Sequence, residues 1–80
     1  MRAALRRSTV QPSEISRVQR YLREKFSNPR LRLKKRDTTE DSVEVYLGDE
    51  FIGVIYRDED EGELSYAFQM AILEMDLPED

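Results

Sequence analysis

Residues 42–73 read SVEVYLGDEFIGVIYRDEDEGELSYAFQMAIL, and the reading of this stretch decides the fold. Val43, Val45 and Leu47 alternate with Glu44 and Tyr46, which is the period of a half-buried strand. Beyond Gly48-Asp49-Glu50, Ile52, Val54 and Tyr56 alternate with Phe51, Gly53 and Ile55. A loop of even length places Val43, Val45 and Leu47 on one face with Ile52, Val54 and Tyr56; Gly48-Asp49 and Asp49-Glu50 both satisfy this and differ only in register. In the acidic run DEDEGE (residues 58–63), a three-residue loop Asp60-Glu61-Gly62 closes a second hairpin. It sets Tyr56 opposite Tyr66, Val54 opposite Phe68 and Ile52 opposite Met70. Leu64, Phe68, Ile72 and Met75 also fit a helical spacing, among good helix formers. Gly-Glu-Leu-Ser-Tyr has the composition of a hairpin return, so strand is preferred for residues 63–70, and residues 66–77 stay open between strand and helix.

Upstream, Pro12 opens a helix, since its missing N–H falls where an N–H has no helical partner. Ser13 competes as N-cap, and Glu14 in the first turn suits the helix dipole. Ile15, Val18, Leu22 and Phe26 recur at steps of three and four, with Tyr21 flanking, so the helix is amphipathic and Tyr21 and Phe26 are assigned to the core. Ser27-Asn28-Pro29 ends it, with Asn28 as the expected left-handed residue. RLRLKKR (residues 30–36) alternates leucines with basic residues and reads as a short edge strand, because Lys and Arg discourage edge-to-edge pairing.

The expected architecture is α+β: a helix over 12–27 packed on a four-stranded antiparallel meander at 30–36, 42–48, 51–58 and 63–73. The alternative is α-β-β-β-α with a C-terminal helix. Residues 1–11 are read as a flexible N-terminal tail, 12–77 as the single domain and 78–80 as a second tail. The N-terminal tail is rich in Arg and free of acids, in the manner of an organelle transit peptide, but a short disordered tail is the preferred reading.

Composition bounds the chemistry. Eighty residues make one domain with one modest core, burying about 60% of the unfolded surface. With no cysteine and no histidine, disulfides, Ser-His-Asp and Cys-His arrangements are excluded, and only carboxylates remain as metal ligands. No nucleophile–base pair and no phosphate-cradling glycine loop is present, so the chain is read as no enzyme, without cofactor or small-molecule ligand. No apolar run reaches the ~20 residues of a membrane helix, and a cytoplasmic location is expected.

Charge is divided by position. Residues 1–36 hold twelve of the thirteen basic groups and two acids, a net +10; residues 37–80 hold fifteen acids and only Arg57, a net −14. Such asymmetry points to an electrostatic partner, to internal pairing, or to two copies arranged head to tail. Arg17 and Arg20 on the helix, with Arg30, Arg32, Lys34 and Arg36 on the first strand, form a candidate nucleic-acid contact. The set lacks interleaved aromatics for base stacking, so nucleic acid ranks second. The acidic run 58–61 has carboxylates for a divalent cation but not the ligand spacing of a calcium loop, and it is read as a solvated hairpin tip. The leading candidate is the sheet face away from the helix. There Tyr46, Phe51, Ile55 and Ala67, with small Gly53 and Ala71, form a face too apolar to be merely solvated, which suits a homodimer, a protein partner or the C-terminal segment folding back.

The run SVEVYLGDEFIGVIYRDEDEGELSYAFQMAILEMDL, with the PSEI helix opening and the FSNPRLRL junction, resembles a small family of alphaproteobacterial proteins, a domain of unknown function. VYLGDEFIGV and SYAFQMAIL are its most specific pieces, and the resemblance covers roughly residues 12–77. It implies a bacterial, cytoplasmic protein with no assigned activity, cofactor or site residue. The transit-peptide reading of the tail loses ground with it.

Overall fold

The computed structural model describes residues 6–7 (backbone only), 10–36 and 41–79. Six elements follow in order: β1 (Arg6–Arg7), α1 (Pro12–Lys25), β2 (Leu31–Lys35), β3 (Ser42–Leu47), β4 (Glu50–Asp60) and β5 (Glu63–Gln69), with a 3-10 turn at Glu74–Asp76. All strand pairs are antiparallel: β2 pairs β3, β3 pairs β4 and β4 pairs β5. The helix on a four-stranded meander is therefore the observed architecture. The C-terminal helix alternative reduces to the single 3-10 turn, because β5 runs to Gln69 and Leu73 is extended.

The N-terminal segment enters the fold where the sequence suggested a tail. Arg6 and Arg7 pair with Glu59 and Asp58. β5 already occupies the other edge of β4 at those residues, so β1 continues the row that β3 leaves at Ser42. Val10 is buried in the core. The rest of the expected tail, residues 1–5 and 8–9, lies outside the described residues, as do residues 37–40 and Asp80.

Helix α1 starts at Pro12 with Gln11, not Ser13, as its N-cap. The Glu14 side chain reaches back to accept the Gln11 N–H at 2.9 Å, satisfying a donor that the helix leaves orphaned. At the other end Ser27, not Asn28, takes the left-handed conformation. The Asn28 N–H bonds the Arg23 carbonyl and the Ser27 N–H bonds the Glu24 carbonyl, the two bonds of a Schellman motif. Asn28 acts instead through its side chain, whose Oδ1 accepts the Arg30 N–H.

Which face of β4 meets the helix is the main correction. The turn is Gly48-Asp49, with Leu47 opposite Glu50 and Tyr46 opposite Phe51, but Val45 then pairs with Gly53. Ile52 is the extra residue of a β-bulge, and it inverts the phase of everything after it. Val43 and Val45 therefore share their face with Ile55 and Gly53, while Val54 and Tyr56 turn away. The second hairpin keeps this phase. Its loop has two residues, Glu61 and Gly62, both at positive φ, as a type I′ turn requires. It pairs Ile55 with Phe68, Arg57 with Tyr66 and Tyr56 with Ala67. The acidic run is thus mostly strand, and Asp58, Glu59 and Asp60 alternate between faces.

The core comprises Val10, Leu22, Leu31, Val43, Val45 and Ile55, with Ile15, Val18, Leu33, Ile52, Tyr66 and Phe68 packed against it. Each fully buried side chain of this kind contributes roughly 1.5–3 kcal/mol. Tyr21 and Phe26, expected inside, are more than half exposed. Helix α1 lies nearest β2 and protects that edge strand. Gln19 Oε1 accepts the Leu33 N–H at 2.9 Å, and Arg23 Nε donates to the Leu31 carbonyl at 2.7 Å.

Candidate functional site

With α1 seated over β2, the β5 side of the inner face is left partly open. Between α1 and β5 lies a groove of about 570 Å³. Val18, Leu22, Ile55, Leu64 and Phe68 supply its apolar lining, and Arg17, Arg20 and Tyr21 stand on the helix side. At the end of this groove Glu14 joins three elements. Its Oε2 accepts Arg57 Nε at 2.7 Å and the Tyr66 hydroxyl. Its Oε1 takes the Gln11 N–H. Burial alone would raise the Glu14 carboxyl. The hydrogen bonds from Arg57, Tyr66 and Gln11, together with the Arg57 charge, outweigh burial and hold it at about 2. Reciprocally, the bond to Glu14 raises Arg57, and burial followed by that bond raises the Tyr66 phenol. Both oxygens of this carboxylate are engaged, so it serves as a clamp between α1, β4 and β5. Sequence reading had noted Glu14 only for the helix dipole. The signal for its partner was Arg57, the one base after residue 36.

On the outer face the structure brings Tyr46 and Phe51 together as an edge-to-face pair with ring centroids 5.7 Å apart. Arg32 stands over the Tyr46 ring at 5.4 Å, and the Tyr46 hydroxyl donates to Glu44 at 2.9 Å, which raises its pKa. Ala67 lies on the same face opposite Tyr56. Ile55 does not: the bulge turns it inward, where it is 3% exposed. Of the four residues expected together on one face, three share it, and the phase inversion removes the fourth. Gly53 also changes role. A Cβ there would lie 2.5 Å from the Gln69 carbonyl oxygen and 2.6 Å from the Phe68 ring, so the glycine admits its own neighbouring strand, not a partner.

The basic candidates divide. Arg32 and Lys34 lie on the outer face of β2, opposite Tyr46 and Glu44. Arg32 also donates twice to the Gly48 carbonyl, and Arg30 packs against Gly48. Arg36 follows the end of β2 and is half-buried. Arg17 and Arg20 face the α1–β5 groove instead. The six are not gathered on one surface. Among the described residues, no group of three or more carboxylates is arranged to hold a metal, and no helix is long and apolar enough to cross a membrane.

The two most exposed large apolar side chains, Met75 and Ile72, belong to a segment that the sequence leaves open between strand and helix. After Gln69, β5 stops pairing although β4 continues to Glu50, and the chain leaves as an arm. Met70, Ile72, Leu73, Met75 and Leu77 are all more than half exposed, with Ile72 at 68% and Met75 at 84%. Between this arm and the Glu50–Val54 end of β4 lies a hollow of about 960 Å³. The available signal was MAILEMDL itself, an apolar run with acids but no complementary face on the chain before it.

No curated protein and no solved structure shows significant similarity to this chain. A family model does: its segment spans residues 14–76, from the Glu14 clamp to the end of the arm's 3-10 turn. Covering well over half of the sequence, that match makes the chain a member of the DUF3126 family, proteins of unknown function.

Proposed function

We propose that this protein is a non-enzymatic association module of the cytoplasm, which works by binding another polypeptide through apolar surface that its own fold leaves open. The observation that carries this reading is the arm, whose five large apolar side chains stand more than half exposed in an 80-residue domain with a small core. Exposed apolar surface of this continuity marks interaction sites in soluble proteins. The outer-face pair Tyr46–Phe51, with Phe51 52% exposed, adds to it. The absence of catalysis is part of the same proposal and is supported by Glu14, a largely buried carboxylate, being committed to three donors.

The test is recovery of bound protein, the chain itself included, with a tagged copy in an extract of its native cell. The expected result is a polypeptide retained by the wild type and lost from a Phe51→Ser/Ile72→Ser/Met75→Ser variant that keeps its circular dichroism. A wild-type chain that is monomeric and retains nothing overturns the reading. Nucleic-acid binding is the second reading, favoured by Arg30, Arg32 and Lys34 following one another on the β2 side. It requires an RNA or DNA affinity that falls with salt, with a shallower slope after Arg32→Glu/Lys34→Glu.

A further inference from the structure

The groove and the arm have matching chemistry. Val18, Leu22, Leu64 and Phe68 give the groove an apolar lining, and Arg17 and Arg20 are cations beside it. Two acids also face it, but Glu14 is neutralised by Arg57, which leaves Glu24 as the opposing charge. The arm alternates apolar and acidic groups, Ile72 and Leu73, Glu74, Met75, Asp76, Leu77, and no base follows Arg57 in the chain. An arm of this composition suits a groove with an apolar lining and a basic rim.

A chain's own arm is not seated there. β5 carries it off at Gln69, and it stands across the 960 Å³ hollow from the Glu50–Val54 end of β4. The groove and the arm as far as Asp76 fall within the segment that matches the family. Having both on one chain lets two copies satisfy each other at once, arm to groove twice over, about a two-fold axis that closes the assembly.

We propose that the groove between α1 and β5 is the seat of the C-terminal arm of a second copy of this chain, so that the protein is a dimer built by reciprocal arm exchange. The proposal rests on the association reading above and names its partner. It also gives part of the charge asymmetry a purpose, since Arg17 and Arg20 of one copy receive Glu74 and Asp76 of the other.

Sedimentation of the purified full-length chain over a wide concentration range tests this, with two surface variants. Arg17→Glu/Arg20→Glu makes the groove rim acidic, and Glu74→Lys/Asp76→Lys makes the arm basic. Each variant alone places like charges together and is expected to weaken dimerisation by at least roughly tenfold. An equimolar mixture pairs the acidic groove with the basic arm and the native groove with the native arm, so it regains wild-type dimerisation. Circular dichroism and urea unfolding confirm that both variants are folded. A wild-type chain that stays monomeric overturns the proposal; if the same chain retains a different protein from extract, the association reading survives without it. A dimer indifferent to both variants but broken by Phe51→Ser also overturns it, and assigns the contact to the outer sheet faces.

Discussion

Val43, Val45 and Ile55 are at most 3% exposed; Ile72, Leu73, Met75 and Leu77 are 54–84% exposed. The two sets are alike in hydropathy and opposite in surroundings. The first is held between a helix and two flanking strands, while the second follows a strand that has ceased to pair. Apolar character in this sequence therefore has two meanings, and backbone register decides which applies. One inserted residue, Ile52, decides it for β4.

The strongest way to break that comparison is to truncate on either side of the bulge-determined phase. Ile55→Ala removes a side chain packed against Val43 and the helix and is expected to cost about 3 kcal/mol. Val54→Ala, one residue away on the outer face, is expected to cost under about 1 kcal/mol, in the range of part-exposed positions. Urea unfolding of the two variants measures both. Equal losses, or a larger loss at Val54, would mean that the phase of β4 is the unbulged one.

Next in size is the clamp that joins the helix to the far side of the sheet. Glu14→Gln removes a charge that Arg57 and Tyr66 are built around and is expected to cost about 2 kcal/mol near neutral pH, as for hydrogen bonds to charged groups. Its folded pKa, about 2, lies below the ordinary 4.5, so the folded state binds fewer protons at this site than the unfolded state does. The stabilisation is thus complete above pH 4.5 and is lost as pH falls towards 2. The stability gap between wild type and Glu14→Gln should close across that window. A gap independent of pH would show that Glu14 acts through packing alone.

Much of this was legible in the sequence, for identifiable reasons. The helix and its limits followed from Pro12 and from the spacing of Ile15, Val18 and Leu22. The four strands followed from alternation and the two turns. Alternation could not give the phase of β4, because Ile52-Val54-Tyr56 and Phe51-Gly53-Ile55 are both apolar. Nor could it show that the helix lies to one side, nearest β2, so that Tyr21 and Phe26 stay outside while Leu64 and Phe68 line a groove. Tyr46, Phe51 and Ala67 share a face as the pattern suggested. The arm was missed because a strand pattern was continued past Gln69, where the partner residues of β4 exist but are not used.

Gly53 sharpens the comparison at the point where β4 meets the departing β5. A methyl group there meets a backbone oxygen and an aromatic ring at 2.5 and 2.6 Å, and the oxygen moves only if β5 moves. Gly53→Ala is expected to cost about 1.5 kcal/mol by overpacking, read from the urea midpoint. A glycine kept for flexibility alone would instead gain up to about 1 kcal/mol on replacement by alanine, through the unfolded state. The sign of the change thus separates close approach from mere permissiveness.

The smallest expected effect falls on the arm. Met75 is 84% exposed, so Met75→Ser removes almost no contact within the chain. Its unfolding midpoint, measured at a concentration low enough to keep copies apart, should stay within about 0.5 kcal/mol of wild type, as at other surface positions. Raising the concentration should then stabilise the wild type more than the variant, because only contact with another copy can reward that side chain. A large loss at the lowest concentration would place Met75 in the chain's own core, and the contrast between the sealed face and the open arm would fail at its most exposed residue.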